Sequence, residues 1–490
     1  MDRRSFIRNS AATLGTAAVG AAGFSGKAEA STRAANTSTI RAFPKSRPIT
    51  DGVPGDSGID TVVVVMMENR SFDSYLGWLR NDGDYINAGL SRYGFKFGVD
   101  SEQDQRFLDP DGVFHSTAHF KINAAGSDPF RGCGHPDPGH GWNAGRAQRD
   151  QGFVAASSGN DDFALSFYRG NDLPFYRELA HRFTVADQWH ASILGPTYPN
   201  REYLLAGQSG GNKTNYLPIT EGGFQWMTIV DKLAYAGVSV IDYASDLPPL
   251  LLWGNRMSPH VRTIDDYYTD CAAGTLPSVC FVDPSFGGDN RSDDHPHGDI
   301  RAGQKFVQDT FTAFAKSSHW NRGAFIVLYD EWGGFYDHVN PPHLPDDRRS
   351  ADDANDFSQA GFRVPCMIAS PRVRPGWVDH HQYDHTSILR FLEWRFLGAP
   401  ATGPGLDSDT WFLTLRDRFA RNLGRTFTLD YSNREVGFDL NMAMADPGGA
   451  CAPKPAALSF DQTPVRESNP EHSFATPEAR EYFASVGCKA

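Results

Sequence analysis

The chain has 490 residues, 46 Lys and Arg against 59 Asp and Glu, a formal charge of -13, and 40% hydrophobic with 21% charged residues. This composition argues against a disordered, collagenous or coiled-coil chain. Acidity with no Lys/Arg run in the body argues against a nucleic-acid binder, whose affinity comes mainly from neutralising phosphates.

Residues 1–30 differ in character from the rest of the chain. Arg3-Arg4-Ser5-Phe6-Ile7 opens a run of Ala, Gly, Val and Leu that ends at Ala28-Glu29-Ala30. This reads as a twin-arginine signal peptide with an A-x-A cleavage site, so the twin-arginine machinery is an expected partner and export to the periplasm, cell wall or medium is expected. The apolar stretch is short and rich in Gly and Ala, and no run of ~18 apolar residues occurs later, so no membrane span is predicted. Cleavage removes Arg3, Arg4, Arg8 and Lys27 with Asp2 and Glu29, taking the formal charge from -13 to -15.

Residues 31–58 read as a linker, 59–445 as one catalytic domain, and 446–490, with Pro-Gly-Gly and Pro-Lys-Pro, as an extension wrapping it. Six cysteines in an exported chain allow 15 disulfide frameworks. Cys271 and Cys280 flank a short Gly-containing loop, Cys451 is expected to pair with Cys488, and Cys366, in an apolar run, is expected as a buried free thiol. The absence of any C-x-x-C pair excludes a zinc ribbon or thioredoxin motif.

Short β-branched apolar runs recur at 59–67, 183–186, 238–243, 279–282, 324–329 and 364–369. Continuous apolarity predicts strands buried on both faces. Helical spacing at 299–317, with Phe306, Val307, Phe311 and Phe314, and at 386–397 supplies crossover helices. The alternation predicts an α/β fold with a mainly parallel sheet flanked by helices, and the Gly-, Asp- and Pro-rich stretch 81–159 an insertion.

In such sheets ligands collect at the carboxyl ends of the strands. Val62 to Met67 runs into Glu68-Asn69, and Phe325 to Tyr329 into Asp330-Glu331. Adjacent carboxylates leaving buried strands repel one another unless a cation joins them, and an all-oxygen set suits a hard divalent ion such as Ca²⁺ or Mg²⁺. The bland alternative is a pair of solvated loop starts. Thr197, in Gly195-Pro196-Thr197-Tyr198-Pro199-Asn200-Arg201, opens a helical stretch; it reads as a metal-activated nucleophile or, more plainly, as an N-cap. In Asp293-Asp294-His295-Pro296-His297, either histidine can protonate a leaving oxygen.

These segments, together with Asp330-Glu331-Trp332-Gly333-Gly334-Phe335-Tyr336-Asp337-His338-Val339, resemble the successive motifs of the bacterial phospholipase C and acid phosphatase family. That family is alkaline phosphatase-like in fold and includes the plant non-specific phospholipases C. The resemblance implies Thr197 as nucleophile and one metal held by Glu68, Asn69, Thr197, Asp330 and Glu331. It implies catalytic His295, and His140 in Asp137-Pro138-Gly139-His140-Gly141-Trp142, with Asp242, His297 and Arg201 binding substrate. The expected reaction is metal-dependent hydrolysis of phosphatidylcholine-type lipids through a phospho-threonine, with at most transient membrane contact and no nucleic-acid partner. The alternatives are an acid phosphatase with the same site, a serine esterase using Ser209, or a non-catalytic exported binding protein. Ser209 fits G-x-S-x-G, yet helix rather than strand precedes it, so it reads as part of a helix C-terminal turn. His380-His381 point opposite ways on an extended strand, and His385 reads as a helix cap.

Overall fold

The computed structural model describes residues 46–95, 97–108, 112–120, 130–155, 158–288, 291–403 and 411–451. The expected signal peptide, residues 31–45 of the linker, residues 452–490 and Cys488 lie outside them.

Eight strands form the central sheet: β1 Thr61–Met67, β2 Thr184–Ala186, β3 Val240–Ala244, β4 Val261–Thr263, β5 Val279–Asp283, β6 Gly323–Tyr329, β7 Cys366–Ala369 and β8 Trp377–Asp379. Their spatial order is β8-β2-β7-β6-β1-β5-β3-β4. β1 pairs in parallel with β5 and β6, β5 with β3, β3 with β4 and β8 with β2; β7 alone runs antiparallel to its neighbours β6 and β2. The mainly parallel α/β fold is thus as expected. All six expected strands are present, with ends displaced by up to two residues. The two missed strands, β4 and β8, are three-residue edge pieces too short and too polar for a continuous apolar signal.

Every residue of β1 and β6 is buried, as the unbroken Val-Val-Val-Val and Phe-Ile-Val-Leu runs require of strands with helices on both faces. Helices α1 Trp142–Gln151, α2 Pro174–Arg182, α3 Thr197–Ala206, α4 Ile229–Tyr235, α5 Ile264–Ala273, α6 Ile300–Lys316 and α7 Thr386–Leu392 surround the sheet. In α6 the Asp299 side chain accepts from Arg301 N–H as the N-cap, and Phe311 meets Phe325 of β6 edge to face at 5.2 Å. No helix among the described residues is long and apolar enough to cross a membrane.

Residues 46–58, expected as linker, are joined to the body: Ile49 N–H donates to Phe427 O (3.0 Å), and Pro48 bridges Thr428. At the other end Gly448 N–H donates to Asp299 Oδ2 (2.7 Å). Cys451 forms a disulfide with Cys133, not with Cys488 as expected from proximity along the chain. The partners lie 318 residues apart, a separation that only the fold closes. Cys271 and Cys280 are free despite flanking one loop, and Cys366 is a buried free thiol as expected.

Candidate active site

β1 and β6 are in register with Met67 opposite Tyr329, so Glu68 and Asp330 leave the sheet side by side. Asn69 comes next at φ 57°, a left-handed conformation that Asn tolerates better than most residues. Gly333 makes that turn possible: a Cβ there would fall 2.3 Å from the Asn69 carbonyl oxygen. Asp330 Oδ1 accepts from Asn69 N–H (3.2 Å) and Glu331 N–H (2.7 Å), and Glu331 Oε2 accepts from Gly333 N–H (2.7 Å). Both Glu68 oxygens, Asn69 Oδ1, Glu331 Oε1 and Thr197 Oγ1 are buried with no hydrogen-bond partner among the described residues.

Such groups are costly to bury unpaired. Burial, with the charges of Asp293 and Asp330, holds the Glu68 carboxyl well above the usual carboxylate range; burial and Asp330 do the same to Glu331. Burial, opposed by Arg201, pushes Asp330 up to about 6. Thr197 is the first residue of α3, with Pro196 in the cap position and no side-chain cap, so the hydroxyl does not serve as an N-cap. Thr197 and Arg201, four residues apart, share one face of α3.

Arg201 corrects a sequence expectation. Its guanidinium is held within the protein, with Nε 3.3 Å from Asp330 Oδ2, Nη1 2.8 Å from Asp283 Oδ1 and Nη2 on the carbonyls of Met66 and Met67. It bridges Asp283 and Asp330 at the tips of β5 and β6, contacts that the expected substrate role did not include. Asp242 sits in the same interior network: its Oδ2 accepts from Leu250 N–H at 3.4 Å. Burial and the Asp283 carboxylate raise the Asp242 pKa well above the usual range.

A second group of side chains comes from the insertion and from the loop between β5 and α6. His140 Nδ1 donates to Pro138 O (2.7 Å), leaving the lone pair on Nε2, to which Asn69 Nδ2 donates at 3.3 Å. His295 Nδ1 donates to Pro296 O, and its Nε2 has no hydrogen-bond partner among the described residues. The two rings lie 5.6 Å apart, edge to face. Burial lowers the His140 pKa to about 4 and that of His295 well below 6.5. In the neutral ring the Nδ1 bond to Pro296 O leaves the lone pair on Nε2. His297 turns Nε2 to His135 O at 2.9 Å, and this bond anchors the 131–140 segment.

Asp137 was missed. Its Oδ2 is 3.6 Å from His295 Nε2, and its Oδ1 is buried without a hydrogen-bond partner among the described residues. Its only signal in sequence is its place three residues before His140, in a Gly/Pro-rich stretch with no strand before it. Among the described residues two groups place one ligand atom each within 4.8 Å of one another: Asp137, His140 and His295, and Asp73, Asp337 and His338. Arg363 fills the second, contacting Asp73 Oδ1 at 3.0 Å and Asp337 Oδ1 at 2.8 Å. The expected oxygen set is marked by its orphaned atoms instead.

His385, expected as a cap, makes no side-chain cap bond: Nε2 donates to the Asp330 carbonyl (2.7 Å) and Nδ1 accepts from Trp189 Nε1–H (3.2 Å). Ser209 donates to Asn212 O (2.9 Å) in the turn after α3, as read from the sequence. His380 and His381 pair separately with Asp187 and Asp379.

An α/β sheet with a buried hydroxyl and orphaned carboxylates at its strand ends is the frame of a hydrolase that acts on anionic esters. The model of the phosphoesterase family matches residues 59–397, and the chain belongs to that family. It is a hydrolase acting on phosphoric ester bonds. Non-specific phospholipase C4 of Arabidopsis thaliana is 31% identical over 413 residues, 78% of this chain and 74% of that protein. Non-specific phospholipase C5 of the same plant is 32% identical over 393 residues, covering 74% of this chain and 73% of that one. Non-hemolytic phospholipase C of Pseudomonas aeruginosa is 28% identical over 455 residues, 80% of this chain and 60% of that protein. A solved structure in the alkaline phosphatase superfamily from Vibrio parahaemolyticus aligns at TM-score 0.35 and 10% identity, over 79% of this chain and 75% of that one.

Proposed function

We propose that the protein is an exported, cation-dependent phospholipase C that cleaves phosphatidylcholine-type lipids to diacylglycerol and a phospho-head-group through a phospho-threonine. The observation that carries this reading is the Thr197 hydroxyl, without a hydrogen-bond partner among the described residues and buried at the start of α3 on the face that bears Arg201 one turn on. The orphaned oxygens fit a hard ion, and Glu68, Asn69, Thr197, Asp330 and Glu331 would hold it. Bound there, such an ion lowers the hydroxyl pKa and neutralises charge on the phosphoryl oxygens.

Thr197 Oγ attacks phosphorus while the bond to the diacylglycerol oxygen breaks. His295 Nε2, whose lone pair the Nδ1 bond to Pro296 fixes, takes the hydroxyl proton and passes it to the departing alcohol. Water then attacks phosphorus as its bond to the Thr197 oxygen breaks; His295 Nε2 takes the water proton and returns it to that oxygen, which regenerates the hydroxyl and the neutral imidazole and releases the phospho-head-group. The relatives' names support the diesterase reading; a phosphomonoesterase uses the same groups. A panel of phosphatidylcholine, sphingomyelin and a simple phosphomonoester, with and without divalent cation, separates the two. Thr197→Ala is expected to lose ~10³-fold or more in turnover with an unchanged circular-dichroism spectrum; retention of more than a few per cent activity overturns the assignment. Export rests on Arg3-Arg4 and Ala28-Glu29-Ala30, and replacing both arginines by lysine is expected to retain the precursor inside the cell.

A further inference from the structure

We propose that Asp137, His140 and His295 form a second cation site, suited to a borderline ion such as Zn²⁺, and that filling it silences the enzyme. One ligand atom from each of the three lies within 4.8 Å of the others. Their side chains are enclosed: those of His295 and Asp137 are 3% and 8% exposed, and His140 is buried.

The proton pattern is the decisive feature. Each imidazole spends its Nδ1 proton on a backbone carbonyl, Pro138 O for His140 and Pro296 O for His295, so the lone pair of each lies on Nε2; that of His295 has no hydrogen-bond partner among the described residues, and that of His140 accepts a long bond from Asn69 Nδ2 (3.3 Å) that an ion would have to displace. Metal-binding histidines are held this way, with the second nitrogen donating to a carbonyl or carboxylate that fixes the tautomer. The third member is a carboxylate. Its Oδ2 lies 3.6 Å from His295 Nε2, beyond hydrogen-bond reach, and its Oδ1 has no hydrogen-bond partner among the described residues. A lone pair facing a carboxylate in a dry interior is repulsive unless a cation stands between them. The nearby guanidiniums direct their bonds elsewhere, Arg291 to Asp293 at 2.6 Å and Arg70 Nη2 to the Asp294 carbonyl at 2.7 Å; their charges favour the ionised Asp137, but burial outweighs them, and Arg70 Nη1 has no hydrogen-bond partner among the described residues.

Two nitrogens and one oxygen select differently from the all-oxygen set around Glu68. Imidazole ligands favour Zn²⁺ over Mg²⁺ and Ca²⁺, and three protein ligands leave a fourth position open. Binding does not depend on the catalytic assignment. Silencing does rest on the proposed role of His295, since an occupied Nε2 can neither take nor return a proton.

The test uses the full chain saturated with Mg²⁺ or Ca²⁺ and titrated with Zn²⁺, read by calorimetry, elemental analysis and hydrolysis of phosphatidylcholine. One Zn²⁺ per chain is expected in the presence of excess hard ion, with activity falling tenfold or more and returning when a chelator removes Zn²⁺ and Mg²⁺ is restored. Asp137→Asn and His140→Gln are expected to weaken Zn²⁺ binding at least tenfold, while Thr197→Ala binds it normally. Co²⁺, as a spectroscopic probe of the unmutated protein, is expected to show the intense visible bands of a low-coordinate imidazole site. No Zn²⁺ uptake beyond the hard-ion site, unchanged uptake in folded Asp137→Asn and His140→Gln, or faint octahedral Co²⁺ bands would overturn the site, leaving a proton on Asp137 as the balancing charge. Zn²⁺ bound with full activity would refute the silencing alone.

Discussion

Arg201 Nε stands 3.3 Å from Asp330 Oδ2, both side chains being almost wholly enclosed, while the same guanidinium reaches Asp283 at 2.8 Å. One cation of the protein's own, carried on α3, thus joins the tips of β5 and β6. Removing one member of a buried ion pair strands the other charge and costs about 3–5 kcal/mol. Arg201→Met is accordingly expected to lower unfolding free energy by about that amount in urea titrations, and activity with it. A wild-type denaturation midpoint would show that Asp330 does not depend on Arg201.

If the proposed cation binds the oxygens of Glu68, Asn69, Thr197 and Glu331, which lack hydrogen-bond partners among the described residues, it adds a second stabilising effect. A cation that binds only the folded chain stabilises it by RT ln(1 + [L]/Kd), about 2.7 kcal/mol at a hundredfold excess over Kd. Chelation is therefore expected to lower Tm and abolish hydrolysis, and Ca²⁺ or Mg²⁺ to restore both. In Glu331→Gln the thermal shift on adding cation is expected to shrink sharply. Full activity of the chelated protein would sink the cation site.

The disulfide between Cys133 and Cys451 closes a loop of 318 residues and fixes the 446–451 segment over the turn that leads to Asp137 and His140. Arg131 donates to the carbonyls of Gly448 and Gly449, and Cys451 N–H to His297 O, on the same surface. Breaking a disulfide of this kind costs about 2–4 kcal/mol. Cys451→Ser, or wild type under a dithiol reductant, is expected to unfold at lower urea. Hydrolysis is expected to drop too, because the segment carrying His140 loses its anchor. Identical urea midpoints with and without reductant would refute the stabilising role.

The strand tips were legible because their signal is local: Val62 to Met67 followed by Glu68, and Phe325 to Tyr329 followed by Asp330, each announce a buried strand ending in a charge. What escaped depends on distant segments meeting. Asp137 gains meaning only when the 131–140 segment reaches His295, and Cys133 pairs with a residue that the sequence gives no reason to choose. Arg201 stands in a motif whose resemblance implies a substrate contact, and only the three-dimensional approach of Asp283 and Asp330 reveals its partners. His385 shows the same limit, since a residue opening a helix looks like a cap until the Asp330 carbonyl is found at its Nε2.

His338, which bonds to Asp73 and Asp100, provides a pH test. Its Nδ1 donates to Asp73 Oδ2 at 2.6 Å, and Nε2 lies 3.3 Å from Asp100. Partial burial disfavours the imidazolium, but the hydrogen bond and charge of Asp73 outweigh it and hold the pKa above 6.5. A histidine raised on folding stabilises fully at pH values below its unfolded pKa, and that stabilisation is lost as pH rises through the folded value. The Tm difference between wild type and His338→Gln is therefore expected to be largest near pH 5.5 and to narrow as pH climbs past neutrality. Arg363, which also binds Asp73 at 3.0 Å, stays charged throughout and keeps the carboxylate paired, so the change with pH reports His338. A difference that is constant from pH 5.5 to 9, or that widens with pH, would show that Asp73 does not stabilise the imidazolium.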